Sequence, residues 1–227
     1  MRILALLIVS VILLSSCRDR RYKFDNDIDL TFNSGIPKSN MALYFPLCLY
    51  IDSLKFDKWK VEADTTGDVY VSGILYRLHE PILYNMYLDK EIYRLTFLRS
   101  FDSNIIIRLE KNKDSVRMIS KSIYEHIANP IRYIHGSPVI DSISIDSTTE
   151  IKTMKFWNDF EHLVSTNLNL MPSTVAMDFG PDGNISILEG HSINGYTFIK
   201  RSSYSKDLSR FERVCDSLIN HSNLKIK

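Results

Sequence analysis

Between residues 91 and 151 the chain alternates short apolar runs with polar turns, the rhythm of strands rather than helices. Residues 91–99, 104–110 and 115–122 form three such runs, with Lys111-Asn112-Lys113-Asp114 as one of the turns. Ile105 and Ile107 alternate with Ile106 and Arg108, which predicts one well-buried face. Residues 123–138 break the rhythm and read as an excursion. Residues 140–151, with the alternation Ile143-Ser144-Ile145-Asp146, predict a fourth strand. The period then becomes helical. Thr153 can cap a helix running to about Leu168, with Phe156, Trp157, Phe160, Leu163 and Val164 on one face. Met171-Pro172 ends it. Residues 174–179 and 184–189 predict a hairpin turning at Pro181-Asp182-Gly183, where proline presets φ and glycine takes the left-handed position. A further strand, 196–201, follows the Asn194-Gly195 turn. Ser205 caps a last helix whose apolar face is Leu208, Phe211, Cys215, Leu218 and Ile219.

Upstream of residue 91 the pattern is less regular. Residues 18–40 are polar and mixed, with Gly35 and Pro37, and read as a tether with a short strand at 28–32. Residues 41–51 predict a strand, bent or placed at an edge by Pro46. Residues 64–68 read as a loop. Val71, Ile74, Leu75 and Leu78 follow at helical spacing, with Asp68 able to cap and Pro81 to stop the helix, although Val69 and Val71 favour strand. The order is four strands, a helix, three strands and a helix. Short links imply antiparallel pairing, and one apolar stripe on each helix implies that both cover one face. The expected fold is therefore α+β: a mostly antiparallel sheet of about six or seven strands with two main amphipathic helices packed on one face.

The first residues follow a different logic. Met1-Arg2 carries one positive charge, residues 3–14 are apolar except for Ser10, and Leu14-Ser15-Ser16-Cys17 closes the run. A charged start, a short apolar stretch and small residues before a cleavage point make a secretory signal peptide. The stretch is too short for a spanning helix, which needs about 20 residues. The tetrad Leu14-Ser15-Ser16-Cys17 resembles the lipobox of bacterial lipoproteins. That resemblance implies a diacylglycerol on the Cys17 thiol, cleavage before Cys17, and stable attachment to the bilayer once two or more acyl chains are present. Arg18, Asp19, Arg20, Arg21 and Lys23 read as a solvated tether, with contact to anionic headgroups as the alternative. The expected organisation is a signal peptide over 1–16, a lipidated tether over 17–40 and one α+β domain over 41–227.

A second resemblance covers roughly residues 78–224. Tyr93-Arg94-Leu95-Thr96-Phe97-Leu98-Arg99-Ser100-Phe101 resembles a Y-R-F-x-W-L-R-T-F stretch in a family of uncharacterised bacterial proteins. Thr153 to Trp157 is similar to its T-x-x-x-W helix start. Leu188-Glu189-Gly190 with Gly195-Tyr196 is similar to its L-E-G…x-Y hairpin, and Phe211 to Cys215 with Ser222 and Leu224 to its last helix. The chain departs from the pattern at Ser202 and Ser203, where that family often carries tryptophan. The resemblance implies one continuous domain and transfers no catalytic residue.

Composition narrows the function classes. The 28 basic side chains stand against 27 acidic ones, and one of the basic ones is Arg2 of the leader. The remainder is balanced, which disfavours nucleic acid as a partner. A hydrophobic content of 44%, with 12 Tyr and 11 Phe, indicates a packed domain. Cys48 and Cys215 lie among apolar neighbours and read as buried free thiols rather than a bridge.

Residues that could carry chemistry are few and scattered along the chain. His79, His126, His135, His162, His191 and His221 are scattered and lack the convergence a zinc site needs. Asp178, Asp182 and Asn184 belong to a turn that Pro181 and Gly183 already explain, so no calcium loop is read there. No glycine-rich phosphate loop, dinucleotide fingerprint or nucleophile elbow occurs. Arg94, if it points inward, needs a carboxylate, for which Glu189 is the candidate, as a structural ion pair. Tyr70, Tyr76, Tyr84, Tyr87 and Tyr93 read as amphipathic residues at the margin of the core, with partner or glycan binding as the alternative. No cofactor, metal ligand or catalytic residue is expected; the one modification site is Cys17. The expectation is a membrane-tethered protein of the bacterial cell envelope, inner or outer membrane, that binds another protein without catalysis. An immunity-type inhibitor is one version. The alternative is an envelope hydrolase whose site is assembled from residues distant in sequence.

Overall fold

The computed structural model describes residues 35–38, 42–46, 69–84, 90–99, 102–127, 133–134, 137–138, 140–169, 171, 184–192, 195–203 and 208–224. The chain divides into two compact units, Met1–Leu88 and Asp89–Lys227. Cys17, Cys48, the 174–179 strand and its turn, and the Ser205 cap lie outside the described residues.

In the first unit, residues 69–77 are helical (α1). The apolar spacing won over the β-branched residues: Val71, Ile74, Leu75 and Leu78 are buried, while Val69 and Tyr70 stay exposed. The helix ends in a Schellman motif. Glu80 N–H reaches the Leu75 carbonyl at 3.0 Å and His79 N–H the Tyr76 carbonyl at 3.0 Å. His79 takes the left-handed position usually given to glycine, with φ 53°. Pro81 follows immediately. The Tyr44 hydroxyl donates to the Glu80 carbonyl at 2.8 Å, and Tyr44 N–H reaches Ser72 Oγ at 3.1 Å, tying residues 42–46 to the helix.

The second unit is a six-stranded antiparallel sheet. Its strands are β1 (Glu91–Leu98), β2 (Asn104–Lys111), β3 (Val116–Ile127), β6 (Ile140–Lys152), β7 (Ile185–Ser192) and β8 (Gly195–Ser202), in the order β6-β3-β2-β1-β7-β8. Two short strands, β4 (Tyr133–Ile134) and β5 (Ser137–Pro138), pair with each other. The helices α2 (Met154–Leu168) and α3 (Leu208–Asn220) complete the unit. The α+β expectation holds, with three helices among the described residues rather than two. The expected excursion at 123–138 is partly strand: β3 runs on to Ile127, because the long β6 offers it a ladder as far as Ile140, with a register shift between His126 and Ile127. Ile106 is as buried as Ile105 and Ile107, so β2 is buried on both faces rather than one.

Both α2 and α3 pack on one face of this sheet. Trp157, Phe160, Val164 and Leu168 from α2, and Phe211, Val214, Cys215 and Leu218 from α3, meet Tyr93, Leu95, Ile105, Ile107, Leu109, Met118, Leu188 and Ile199. Thr153 caps α2 as expected, its Oγ accepting from Phe156 N–H at 3.1 Å. Tyr93 sits at the centre, its ring 5.3 Å from Trp157 and 5.2 Å from Phe160, the latter edge-on. Gly190 lies directly across from Tyr93 in the β1–β7 pairing, and a Cβ at Gly190 would fall 2.9 Å from the Tyr93 ring. The missing side chain is what leaves room for the ring against Gly190.

Candidate functional site

The face of the sheet opposite α2 and α3 carries charge where a core would be expected. Register places Arg108, Arg94 and Glu189 side by side across β2, β1 and β7. Arg94 and Glu189 are fully buried. Arg94 Nε donates to Glu189 Oε2 at 2.8 Å, a second guanidinium nitrogen donates to the same oxygen, and the Tyr196 hydroxyl donates to Oε1 at 2.8 Å. The pairing expected for Arg94 is therefore present, with both carboxylate oxygens occupied by fixed donors. One row along, Glu110 is a hub that sequence reasoning missed. Lys90 Nζ lies 3.1 Å from Oε1, Arg108 Nε 2.8 Å from Oε1 and Arg117 Nη2 3.2 Å from Oε2. The Arg108 N–H is not aimed along its contact, so that pair is ionic without being a hydrogen bond. Such a cluster fixes the register of neighbouring strands, since a one-residue slip would send every charge to the other face. Its signal in sequence was the charge at alternating positions Arg108 and Glu110 inside an otherwise apolar strand.

The other candidate residues are dispersed. His162 is exposed on α2, His191 lies in β7, and His221 follows α3 with Nδ1 2.7 Å from the Ser217 carbonyl. His126 falls in β3, while His135 lies outside the described residues, as do Asp178, Asp182 and Tyr87. Among the described residues no set of three His, Cys, Asp or Glu side chains converges as metal ligands. Cys215 is a buried free thiol; burial, with Asp216 and Glu212 nearby, pushes its pKa well up, away from nucleophilic thiolate. Burial, with Glu161 and Glu91 nearby, pushes the Tyr93 hydroxyl up to about 12. Arg99 stays local, donating to the Ser103 carbonyl at 2.8 Å and pairing with Asp102.

One part of the second unit is open instead. Among the described residues β6 ends the sheet with β3 as its neighbour, and its side chains from 142 to 152 are mostly exposed. Ile143, Ile145 and Ile151 share the face opposite the helices and are 39%, 47% and 74% exposed. The alternation at Ile143-Ser144-Ile145-Asp146 does make a strand, but its isoleucines point outward. At the opposite end of the sheet, β8 has Phe198, Ile199, Lys200, Arg201 and Ser202 buried. An edge strand aims every second N–H and C=O away from the sheet, which makes it a template for another strand. Three exposed isoleucines on such a strand form the candidate site.

The base of this edge is held firmly. The Glu150 carboxylate accepts from Lys152 Nζ at 2.7 Å and from Asn223 N–H at 2.9 Å. Lys152 also donates to the His221 carbonyl at 2.7 Å, satisfying the end of α3. Burial would raise the Glu150 carboxyl, but the Lys152 ammonium and the Asn223 N–H outweigh it and hold the pKa below the ordinary glutamate value. No helix among the described residues is long and apolar enough to cross a membrane. Comparisons with protein-family models, with curated proteins and with solved structures found no match.

Proposed function

We propose that this chain is a lipid-anchored protein of the bacterial cell envelope that binds another protein through β6 and catalyses no reaction. The observation that carries the reading is the exposure of Ile143, Ile145 and Ile151 on an edge strand. Proteins usually guard such edges with charge, proline or a covering element, and leaving branched apolar residues open there favours a strand-adding partner. The lipobox-like Leu14-Ser15-Ser16-Cys17 supports the anchor. The buried charges support a structural rather than a catalytic role, since Glu189 has both oxygens bound and Glu110 is surrounded by three cations. A photo-crosslinking residue in place of Ile145, in the full chain expressed in cells, tests the reading. A discrete protein adduct at that position, absent when the same probe replaces exposed Lys155 on α2, is the expected result. No adduct at Ile145, or equal adducts at both positions, overturns it.

A further inference from the structure

We infer that the strand added to β6 is the β6 of a second copy of this chain, joined antiparallel about a twofold axis at Ser147. The inference rests on the β6 docking reading and names its partner. In an antiparallel pair, directly opposed side chains share a face, so a symmetric β6–β6 pairing must centre on a residue. Centring on Ser147 sets Ile143 opposite Ile151 of the second copy twice over, and Ile145 opposite Thr149. On the other face Asp146 meets Thr148, Glu150 meets Ser144, and Lys152 meets Ser142. Every exposed isoleucine of both copies is engaged, and no like charges oppose each other.

Neighbouring registers lose one or the other. Centring on Asp146 sets that carboxylate against itself, and centring on Thr148 sets Asp146 against Glu150. Centring on Ile145 leaves Ile151 beyond the paired segment. Like charges directly opposite destabilise a ladder, whereas apolar pairs stabilise it. The sequence of β6 is therefore complementary to itself in one alignment. Register sets Ile145 beside the buried Ile123 of β3 and Thr149 beside Ile119, so the paired isoleucines would extend an apolar strip already begun in the sheet. A single added strand buries less surface than the roughly 1,200 Å² of a stable free interface. Two copies tethered to one membrane gain effective concentration, which offsets that shortfall.

The test is site-specific disulfide trapping of the full chain in intact cells. Ser147 opposes itself across the axis, so Ser147→Cys should give a covalent dimer under oxidation. Thr149→Cys alone should give little, and Thr149→Cys co-expressed with Ile145→Cys should give a strong dimer. Ile143→Lys and Ile151→Glu, both at exposed positions, should each weaken Ser147→Cys trapping by about tenfold, and the double variant should restore it, because the new charges then oppose each other. Trapping that is equally efficient at Ser147 and Thr149, or a double variant as weak as the singles, overturns the register. If Ser147→Cys gives no dimer while the Ile145 probe gives an adduct with a different protein, the second-copy inference fails and the docking reading stands. If neither product forms, both fall.

Discussion

At the scale of single residues, two positions are set by what lies directly across the sheet. Gly190 has no side chain because the Tyr93 ring occupies its place, 2.9 Å from where a Cβ would stand. Gly190→Ala is expected to cost about 1–3 kcal/mol through overpacking, read from the midpoint of a urea titration. Tyr93→Leu should relieve part of that cost in the double variant, because the two residues touch. Arg94 and Glu189 form the second pair. Arg94→Met strands a buried carboxylate and is expected to cost about 3–5 kcal/mol, whereas Arg94→Met with Glu189→Leu should recover much of the loss. A double variant as unstable as the single would show that the pair stabilises the fold beyond satisfying its own charges.

Among the elements, α2 shows most directly how local signals and packing divide the energetics. Its start is a side-chain cap, so Thr153→Ala should cost about 1 kcal/mol. Its middle is a core position, so Trp157→Ala should cost about 3–5 kcal/mol. Thermal or urea unfolding that ranked the two equally would contradict the burial of Trp157, which is complete. Thr153, the Trp157 stripe and the Phe211–Cys215 stripe were all legible in sequence, because helical period and capping are local properties. The outward aim of Ile143 and Ile145 was not. Alternation reports that one face of a strand is apolar; whether that face meets a core depends on the strand's place in the sheet. The same limit made β2 look half-buried, because what covers the second face of a strand is not written in the strand's own pattern.

For the whole molecule, one prediction belongs to the proposed lipid anchor and one to charge. Cys17→Ala is expected to abolish lipid attachment and leader cleavage, checked by labelling cells with a fatty-acid probe; equal label on wild type and variant would refute the anchor. Glu150 links the end of β6 to the end of α3, and its pKa is held below the ordinary value in the folded chain. A depressed carboxyl contributes stability that is present above its unfolded pKa and lost as pH falls through the folded one. The stability difference between wild type and Glu150→Gln should therefore be present at neutral pH and shrink as pH drops below the ordinary glutamate range. A difference unchanged from neutral to acid pH would sink this account.

What the sequence determined by itself is whatever depends on neighbours along the chain: the run to Cys17, the periods of α2 and α3, the Thr153 cap, and the strands β1, β2, β3, β6, β7 and β8. It also contained the Arg94–Glu189 pair in outline, because a charge inside an apolar strand needs an opposite partner. Tertiary structure decided what depends on neighbours in space. Strand order placed β2 centrally and β6 at the edge, gathered Lys90, Arg108 and Arg117 around Glu110, and seated Tyr93 on Gly190. The reason is that burial belongs to a residue's place in the assembled sheet, and the side-chain pattern of one strand is the same whether a neighbour covers it or not.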